Sequence, residues 1–441
     1  MKQEIFALID INNCYVSCER LFNPALNHKP VVVLSNNDGC VVSRSNEAKD
    51  LNIGMAVPWH EVEQQAHLAG VHVFSSNYAL YADMSRRFFL LLQQHFQSDD
   101  LEPYSIDECF IRLTDYQRQF NLSEYCQQLL KILQQWLGLP CSIGIGFSKT
   151  QAKLANHFAK KRAGFQGVCN FTELDPCDIE QLYLTTSVQE VWGIGSRTAK
   201  KLSTYSIHTV WDLTFANEHI LRRTFSVLIA RTIRELKGQS CISLDDPETP
   251  SKRILASRSF SQALTDLSQI KQALIFHLNR AHQRLIQQKQ LCNCIHISLY
   301  EKVPYPPYKK AIESAIGLSY ATDDLLQISQ NALKQIDVLF KKNIKYVKVS
   351  VMFSGLELKA QHISDLWQPL AQIQSREQLL ATMQNMKRRY GPDCIQVGYQ
   401  SKDQVWQMKQ QYRSPRYTTC WKELLCIEDI SNNTIQVTEN K

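Results

Sequence analysis

Three carboxylates stand where they could hold metal. Asp10 ends the apolar run Ile5 to Ile9, and Asp107 and Glu108 are neighbours in Tyr104-Ser105-Ile106-Asp107-Glu108-Cys109-Phe110. Acids at the ends of adjacent strands offer hard oxygen ligands. These suit Mg²⁺, which keeps part of its water shell and shares the rest with phosphates. Two such ions about 4 Å apart activate one oxygen and stabilise another as it leaves in phosphoryl transfer. Any one of these acids could equally cap a turn; the trio together points to metal-assisted chemistry. Lys49, in Ser45-Asn46-Glu47-Ala48-Lys49, and Lys160, in Ala159-Lys160-Lys161, could clamp a triphosphate or be ordinary exposed helix lysines. Tyr15 follows Asp10 closely. Its ring could pack under a sugar and leave no room for a 2′-hydroxyl, or be an ordinary half-buried tyrosine.

A second pattern concerns phosphate backbones. Val191-Trp192-Gly193-Ile194-Gly195-Ser196-Arg197-Thr198-Ala199-Lys200-Lys201-Leu202 places an apolar-Gly-apolar-Gly turn before a helix. Gly193 and Gly195 allow close backbone approach, and free N–H groups at a helix start point at a phosphate. Lys200 and Lys201 would add charge. Such a contact positions DNA without reading bases. A plain tight connection between helices is the other reading.

The elements that must position these residues alternate in type over the first 170 residues. Ile5–Ile9 and Val31–Leu34 are continuous apolar runs, as in buried strands. The second is followed by Asn36-Asn37-Asp38-Gly39, a hairpin signal. Leu101 to Leu113 reads as another strand region and Cys141 to Phe147 as a small-residue strand. Ser148 can cap a helix from Lys149 to about Lys161. Interleaved strands and helices predict an α/β or α+β catalytic core. Residues 172–245 read as helical, and Asp245 to Pro250 as a turn-rich linker.

Residues 251–360 differ in charge. They hold sixteen Lys and Arg against seven Asp and Glu, a net +9, while the whole chain carries +7. The positive charge is therefore concentrated in one region, the footprint of a surface that meets a polyanion, or else a solvated basic face. The pattern there predicts a helix over about 267–288 and strands over Cys294–Tyr300 and Val347–Phe353. The tail, 361–441, is polar.

Composition excludes several classes. With 441 residues, 44% hydrophobic and 21% charged, the chain is neither disordered nor collagen-like nor of low complexity. The sequence holds no apolar run of about 18 residues, so no membrane span is expected. The acid at Glu4 and the early Asp10 argue against a signal peptide, and the expected location is cytoplasmic. The 14 cysteines lack CxxC spacing, and Cys292-x-Cys294 is too tight for a zinc knuckle. They read as small buried residues of a reducing compartment.

Taken together these stretches resemble the Y-family translesion DNA polymerases, most closely the bacterial UmuC group that supplies the catalytic subunit of DNA polymerase V. The resemblance is carried by Asp10-Ile11-Asn12 with Tyr15 and Ser17-Cys18-Glu19, by Lys29 to Cys40, and by Glu47-Ala48-Lys49. It continues through Ser75-Ser76-Asn77-Tyr78, Leu80 to Ser85, Tyr104 to Glu108, and Gly144-Ile145-Gly146 with Ser148-Lys149-Thr150 and Lys153-Leu154-Ala155. The two-glycine turn, Trp406-Gln407-Met408 and Ser414 to Thr419 complete it, so that nearly the whole chain is covered, most weakly over about 255–400.

The resemblance implies an α+β multidomain right hand. Its parts would be a ferredoxin-like palm (1–20 and 76–170), small fingers (21–75), a helical thumb with a helix-hairpin-helix (171–245), an α/β little finger (253–360) and a C-terminal UmuC-type tail (361–441). It implies error-prone, template-directed synthesis in the SOS response, using two Mg²⁺ ions and deoxynucleoside triphosphates on primer-template DNA. Asp10, Asp107 and the Ile11 carbonyl would bind the ions, and Glu108 would complete the site. Tyr15 would exclude ribonucleotides, and Lys49 and Lys160 would meet the triphosphate. Implied partners are a processed UmuD-like dimer, a RecA filament and a sliding clamp. Two positions depart from the family pattern. Cys109 stands where Ala is usual after the acidic pair, and the clamp-like peptide Gln361 to Trp367 has altered spacing. A non-catalytic DNA-binding paralogue of the same fold is the alternative; it would be favoured by loss of a carboxylate, and all three are present. A glycosylase sharing only the two-glycine turn would not explain Asp10, Tyr15 and Asp107-Glu108.

Overall fold

A computed structural model describes residues 3–244, 250–305, 309–363, 370–391, 394–395, 406 and 408–424. The chain forms two units, Met1–Pro247 with Gln411–Lys441, and Glu248–Gln410, so it passes between them twice. Most of the expected linker, and the clamp-like peptide from Ser364 onward, lie outside the described residues.

In the first unit, β1 (Phe6–Ile11) is buried along its whole length, which is why it reads as a continuous apolar run. It turns into α1 (Cys14–Phe22) through Asn13, which adopts the left-handed conformation that asparagine tolerates best after glycine. A small sheet follows. In it β2 (Val31–Leu34) and β3 (Val41–Arg44) form the hairpin that Asn36–Gly39 announced. After α2 (Asn46–Asp50) and α3 (Trp59–Leu68), β4 (His72–Ser75) pairs parallel to β2, so the order is β3-β2-β4. Then α4 (Tyr78–His95) leads to β5 (Leu101–Pro103) and β6 (Glu108–Arg112).

The strand region expected over Leu101–Leu113 is two short strands with a turn between. The reason is local. Ser105 Oγ accepts from the backbone N–H groups of Asp107 and Glu108 and donates to Asp107 Oδ1 at 2.6 Å, which bends the chain. Next come α5 (Leu122–Leu137), β7 (Cys141–Gly146), α6 (Lys149–Lys161) and β8 (Val168–Asn170). The five strands lie in the order β5-β6-β1-β7-β8, with β1 antiparallel to both neighbours.

The small residues of β7 have a packing reason. A Cβ added at Gly144 would fall 2.0 Å from the Asn156 backbone nitrogen and 2.3 Å from the Ala152 carbonyl oxygen, so α6 lies directly on the strand there. Ser148 caps that helix as expected, accepting from the Gln151 N–H at 3.1 Å. Five helices fill the region read as helical: α7 (Pro176–Leu184), α8 (Ser196–Ser203), α9 (Val210–Phe215), α10 (Glu218–Thr224) and α11 (Val227–Leu236). Their core includes Leu182, Leu202, Leu213 and Ile233, and it is continuous with Leu154 and Phe158 of α6.

The second unit is a four-stranded antiparallel sheet. Its strands are β9 (Ile254–Leu264), β10 (Gln290–Lys302), β11 (Lys309–Thr322) and β12 (Tyr346–Leu358), in the order β11-β10-β12-β9. The strands are longer than the apolar runs suggested, because the alternation continues into polar residues at both ends. Ile295, Ile297 and Leu299 of β10 and Val349, Val351 and Phe353 of β12 face a core with α12 (Leu267–Gln287) and α13 (Leu325–Leu339). A further helix, α14 (Leu370–Tyr390), and Trp406 also belong to this unit, and Leu380 and Trp406 join its core. Among the described cysteines Cys177 and Cys394 are exposed, so not all are the buried residues expected. No helix among the described residues is long and apolar enough to cross a membrane.

Candidate active site

The β1–β6 register sets Asp10 directly opposite Glu108. Asp107 comes just before β6, and its carbonyl accepts from the Ile11 N–H at 3.0 Å, so all three carboxylates lie at the same end of two paired strands. Sheet geometry thus joins residues nearly a hundred positions apart. Asp10 is 8% exposed. Burial lifts its carboxyl to about 7 against the downward pull of Lys160, and Asp107 and Glu108 add to the rise.

The cations come from one face of one helix. Lys149, Lys153, Asn156 and Lys160 follow the spacing i, i+4, i+7, i+11 on α6 and so share a side. Each meets the sheet. Lys149 Nζ reaches Glu102 Oε2 of β5 at 2.5 Å, Lys153 Nζ reaches Glu108 Oε1 of β6 at 2.7 Å, and Lys160 Nζ reaches Asp10 Oδ1 of β1 at 2.6 Å. Asn156 Nδ2 donates to the carbonyls of Leu8 and Ser142 at 3.2 and 2.7 Å. The strand order β5-β6-β1 is matched by the order of the lysines along the helix.

These acids suit a hard divalent cation. Asp10 and Glu108 each hold an ammonium group where a metal would otherwise balance the charge, and Asp10 is under-compensated even so. Among the described residues no three His, Cys, Asp or Glu side chains converge tightly enough to hold an ion as they stand. Displacing Lys153 and Lys160 from the carboxylates would be the first requirement of metal entry.

Tyr15 lies in the first turn of α1, half-buried, and burial pushes its phenol up to about 12. Lys49 Nζ donates to Asn13 Oδ1 at 2.8 Å and to Asn46 Oδ1 at 2.9 Å, which ties α2 to the β1–α1 turn. Burial pulls its ammonium below the usual lysine range, with Arg44 and Lys160 adding to the effect. Asp10, Asp107, Glu108, Lys160 and Lys49 are therefore gathered around the start of α1.

The two-glycine turn is elsewhere. Gly193 has φ +83°, a conformation that favours glycine, and Gly195 precedes α8. Lys200 and Lys201 are both exposed; the Lys201 ammonium donates to the Thr224 carbonyl at 2.9 Å and lies 4.5 Å from the Phe225 ring centroid. Lys201 thus helps hold α8 against the end of α10. Trp192, beside the turn, donates its indole N–H to the Tyr104 hydroxyl at 3.0 Å, and Lys153 stands 4.8 Å from the Tyr104 ring centroid.

Sequence reasoning missed Lys153, Asn13 and Ser105. The helical spacing of Lys153 to Lys160 was a usable signal; the roles of Asn13 and Ser105 depend on backbone geometry. It also missed residues 411–424, which return to the first unit. The Gln411 N–H donates to Asp38 Oδ2 at 2.9 Å, and the Ser75 N–H donates to the Tyr412 carbonyl at 3.0 Å.

The family described as impB/mucB/samB matches residues 9–157, and its C-terminal domain matches residues 251–366. A domain of unknown function (DUF4113) matches residues 377–427. The chain is 36% identical to Protein ImpB of Salmonella typhimurium over 423 residues, 95% of this chain and 99% of that protein. It is 34% identical to Protein UmuC of Salmonella typhimurium (strain LT2) over 430 residues, 96% of this chain and 100% of that one. DNA polymerase IV 1 of Bacillus subtilis (strain 168) is 33% identical over 229 residues, 51% of this chain and 53% of the relative. Among solved structures, a Y-family DNA polymerase chimera of Dbh and Dpo4 superposes with a TM-score of 0.63 at 17% identity, covering 80% of this chain and 99% of that one. An insertion ternary complex of Dbh DNA polymerase gives 0.54 at 18% identity, with the same coverage of each chain. At these identities the structures speak for the fold, which is the α+β multidomain arrangement expected.

Proposed function

The chain belongs to the impB/mucB/samB family and is a DNA-directed DNA polymerase of the Y family; we propose that it extends a primer across damaged template by two-metal nucleotidyl transfer in the SOS response. The observation that carries the chemistry is the alignment of Asp10 with Glu108, and of Asp107 beside them, under the lysine face of α6.

Asp10, Asp107, Glu108 and the Ile11 carbonyl would hold two Mg²⁺ ions. When bound, the ions lower the cost of forming the attacking 3′-oxyanion and of releasing pyrophosphate from the α-phosphate. The remaining work falls to the chain. Lys160 and Lys153 neutralise the acids before substrate arrives and are then available to triphosphate oxygens. Lys49, held by Asn13 and Asn46, presents a third ammonium beside the β1–α1 turn. Tyr15 closes the space a 2′-hydroxyl would need. Cys109, fully buried in β6, fills an alanine-sized position without reaching the site.

In this reading the five-stranded sheet with α1, α4, α5 and α6 is the palm (1–20 and 76–170), the small sheet the fingers (21–75), and α7–α11 the thumb (171–245). The long-stranded sheet is the little finger (253–360), followed by the tail (361–441). Gly193, Gly195, Lys200 and Lys201 would steady the DNA backbone, and Lys201 also braces their helix. The partners proposed are primer-template DNA, deoxynucleoside triphosphates, a processed UmuD-like dimer, a RecA filament and a sliding clamp.

Primer extension on undamaged and abasic templates, alone and with the UmuD-like and RecA partners, tests this reading. The expected result is extension that disappears in Asp107→Ala, with ribonucleotide incorporation rising in Tyr15→Ala. DNA binding without extension in any mixture would instead identify a non-catalytic paralogue.

A further inference from the structure

Tyr15 does not rest on the rest of the palm alone. It stacks on Tyr81, with ring centroids 4.3 Å apart and planes 14° from parallel, and meets Tyr78 edge-on at 6.5 Å. Both partners lie in the first turn of α4, and Asn77 caps that helix by accepting from the Leu80 N–H. Glu19 sits one turn after Tyr15 on the same side of α1 and is 1% exposed. Its Oε1 accepts from the Tyr81 hydroxyl at 2.6 Å and from Ser414 Oγ at 2.9 Å. Burial raises the Glu19 carboxyl, and these two hydroxyls pull it back.

Ser414 belongs to the returning C-terminal segment, which is fastened at several points. Asn77 Nδ2 shares its hydrogens among the Ser414 carbonyl at 3.1 Å, Ser414 Oγ at 3.0 Å and the Pro415 carbonyl at 3.0 Å. Upstream, the Tyr412 N–H donates to Ser75 Oγ at 2.9 Å, and Ser75 Oγ donates to Asp38 Oδ1 at 2.6 Å. Downstream, Tyr417 stacks on Phe22 of α1 at 4.7 Å, and Arg416 and Glu423 close the segment on itself. The strap thus ties the edge of the small sheet to α1 and α4, the two helices that frame Tyr15.

We propose that residues 411–424 set sugar selectivity, with Ser414 and Asn77 as positioning residues that hold Tyr81, through Glu19, against Tyr15. A buried carboxylate deprived of one donor must find another or move. The nearest adjustments are a shift of Tyr81 or of the Glu19 turn of α1, and either displaces Tyr15. Discrimination by a steric wall is sensitive to displacements well under an ångström. The inference gives part of the domain of unknown function a task at the catalytic centre, and it rests on the reading of Tyr15 as the sugar gate.

The test measures kcat/KM for a ribonucleotide and for the matching deoxynucleotide on one primer-template, using the full chain and its partners. Ser414→Ala and Tyr81→Phe each remove one hydroxyl from Glu19 and keep both aromatic rings of the stack. Both are expected to raise the ribonucleotide-to-deoxynucleotide ratio about threefold to tenfold. Glu19→Gln keeps an acceptor for both hydroxyls and stays within about twofold of the parent. Adding Ser414→Ala to Tyr15→Ala gives no further rise, because the two act through one element. An unchanged ratio in Ser414→Ala and Tyr81→Phe, beside a raised ratio in Tyr15→Ala, overturns the strap's role and leaves the gate intact. Equal loss with both nucleotides marks a purely structural contact and overturns it too. An unchanged ratio in Tyr15→Ala, or no extension in any mixture, removes the gate reading itself and this inference with it.

Discussion

In the first unit the charges that matter point inward. Lys149 and Glu102 pair with side chains 1% and 7% exposed, and Lys153 and Lys160 sit on carboxylates of the neighbouring strands. In the second unit the charges point outward. Lys302, Lys309, Lys310 and Lys345 are exposed at one end of the sheet, where β10 and β11 pair Lys302 with Lys309 and the Lys302 N–H donates to the Lys345 carbonyl. Ion pairs such as Lys271–Asp337 are half in solvent, at 34% and 48% exposure. Chemistry on a phosphate requires a few charges held at fixed distances out of water. Grip on a phosphate backbone requires many charges that act by their sum.

This contrast can be broken by substitution, and the largest effect is expected at the inward charges. Asp107→Ala should lower the rate of nucleotide addition by at least about a thousandfold, read by single-turnover primer extension, with primer-template affinity nearly unchanged. Lys149→Met should strip a buried carboxylate of its ammonium and cost about 3–5 kcal/mol in urea unfolding of the first unit. Lys271→Met, the matching change in the second unit, should cost no more than about 1 kcal/mol.

A buried group of the second unit sharpens the comparison from the other side. His277 on α12 is 2% exposed, and its Nε2 has no hydrogen-bond partner among the described residues. Burial holds its pKa down at about 4, helped by Arg258, Arg280 and Lys348. The folded pKa lies below the usual 6.5, so the unfolded chain takes up the proton first. Stability of this unit is therefore full above pH ~6.5 and declines as pH falls toward about 4, by about 3 kcal/mol in all. Hydrogen exchange of the Ile295–Leu299 amides across that range should register the loss, and His277→Leu should remove that part of the pH dependence.

Small single effects should also come from the outward lysines. Each of Lys309→Ala, Lys310→Ala and Lys345→Ala should weaken DNA binding by about threefold to tenfold at low salt. Each should also reduce the slope of log affinity against log salt by about 0.9 for every phosphate it no longer neutralises. A loss that ignores salt would show that these residues bind by shape rather than charge.

The same contrast governs how much could be read in the sequence. The basic region stood out by counting alone, because outward charge needs no partner to be recognised. The acids Asp10, Asp107 and Glu108 stood out through their place beside apolar runs. The α6 lysines were harder. A stripe of Lys149, Lys153 and Lys160 reads as a solvated helix face until the sheet beneath it is seen to carry Glu102, Glu108 and Asp10. The strand region over Leu101–Leu113 was legible, but not its division in two, because one serine side chain, Ser105, bends the backbone.

By itself the sequence determined what is local: the β1 run, the hairpin signal, the Ser148 cap and the element types through most of the chain. These follow from side-chain period, turn chemistry and capping within a few residues. Tertiary structure alone decided which of these residues meet. The β1–β6 register set Asp10 against Glu108, the approach of α6 at Gly144 gave each lysine its acid, and the return of the chain placed Ser414 on Glu19 across nearly four hundred residues. Such pairings are settled by which buried polar groups satisfy one another when the core closes, and no local propensity encodes that choice.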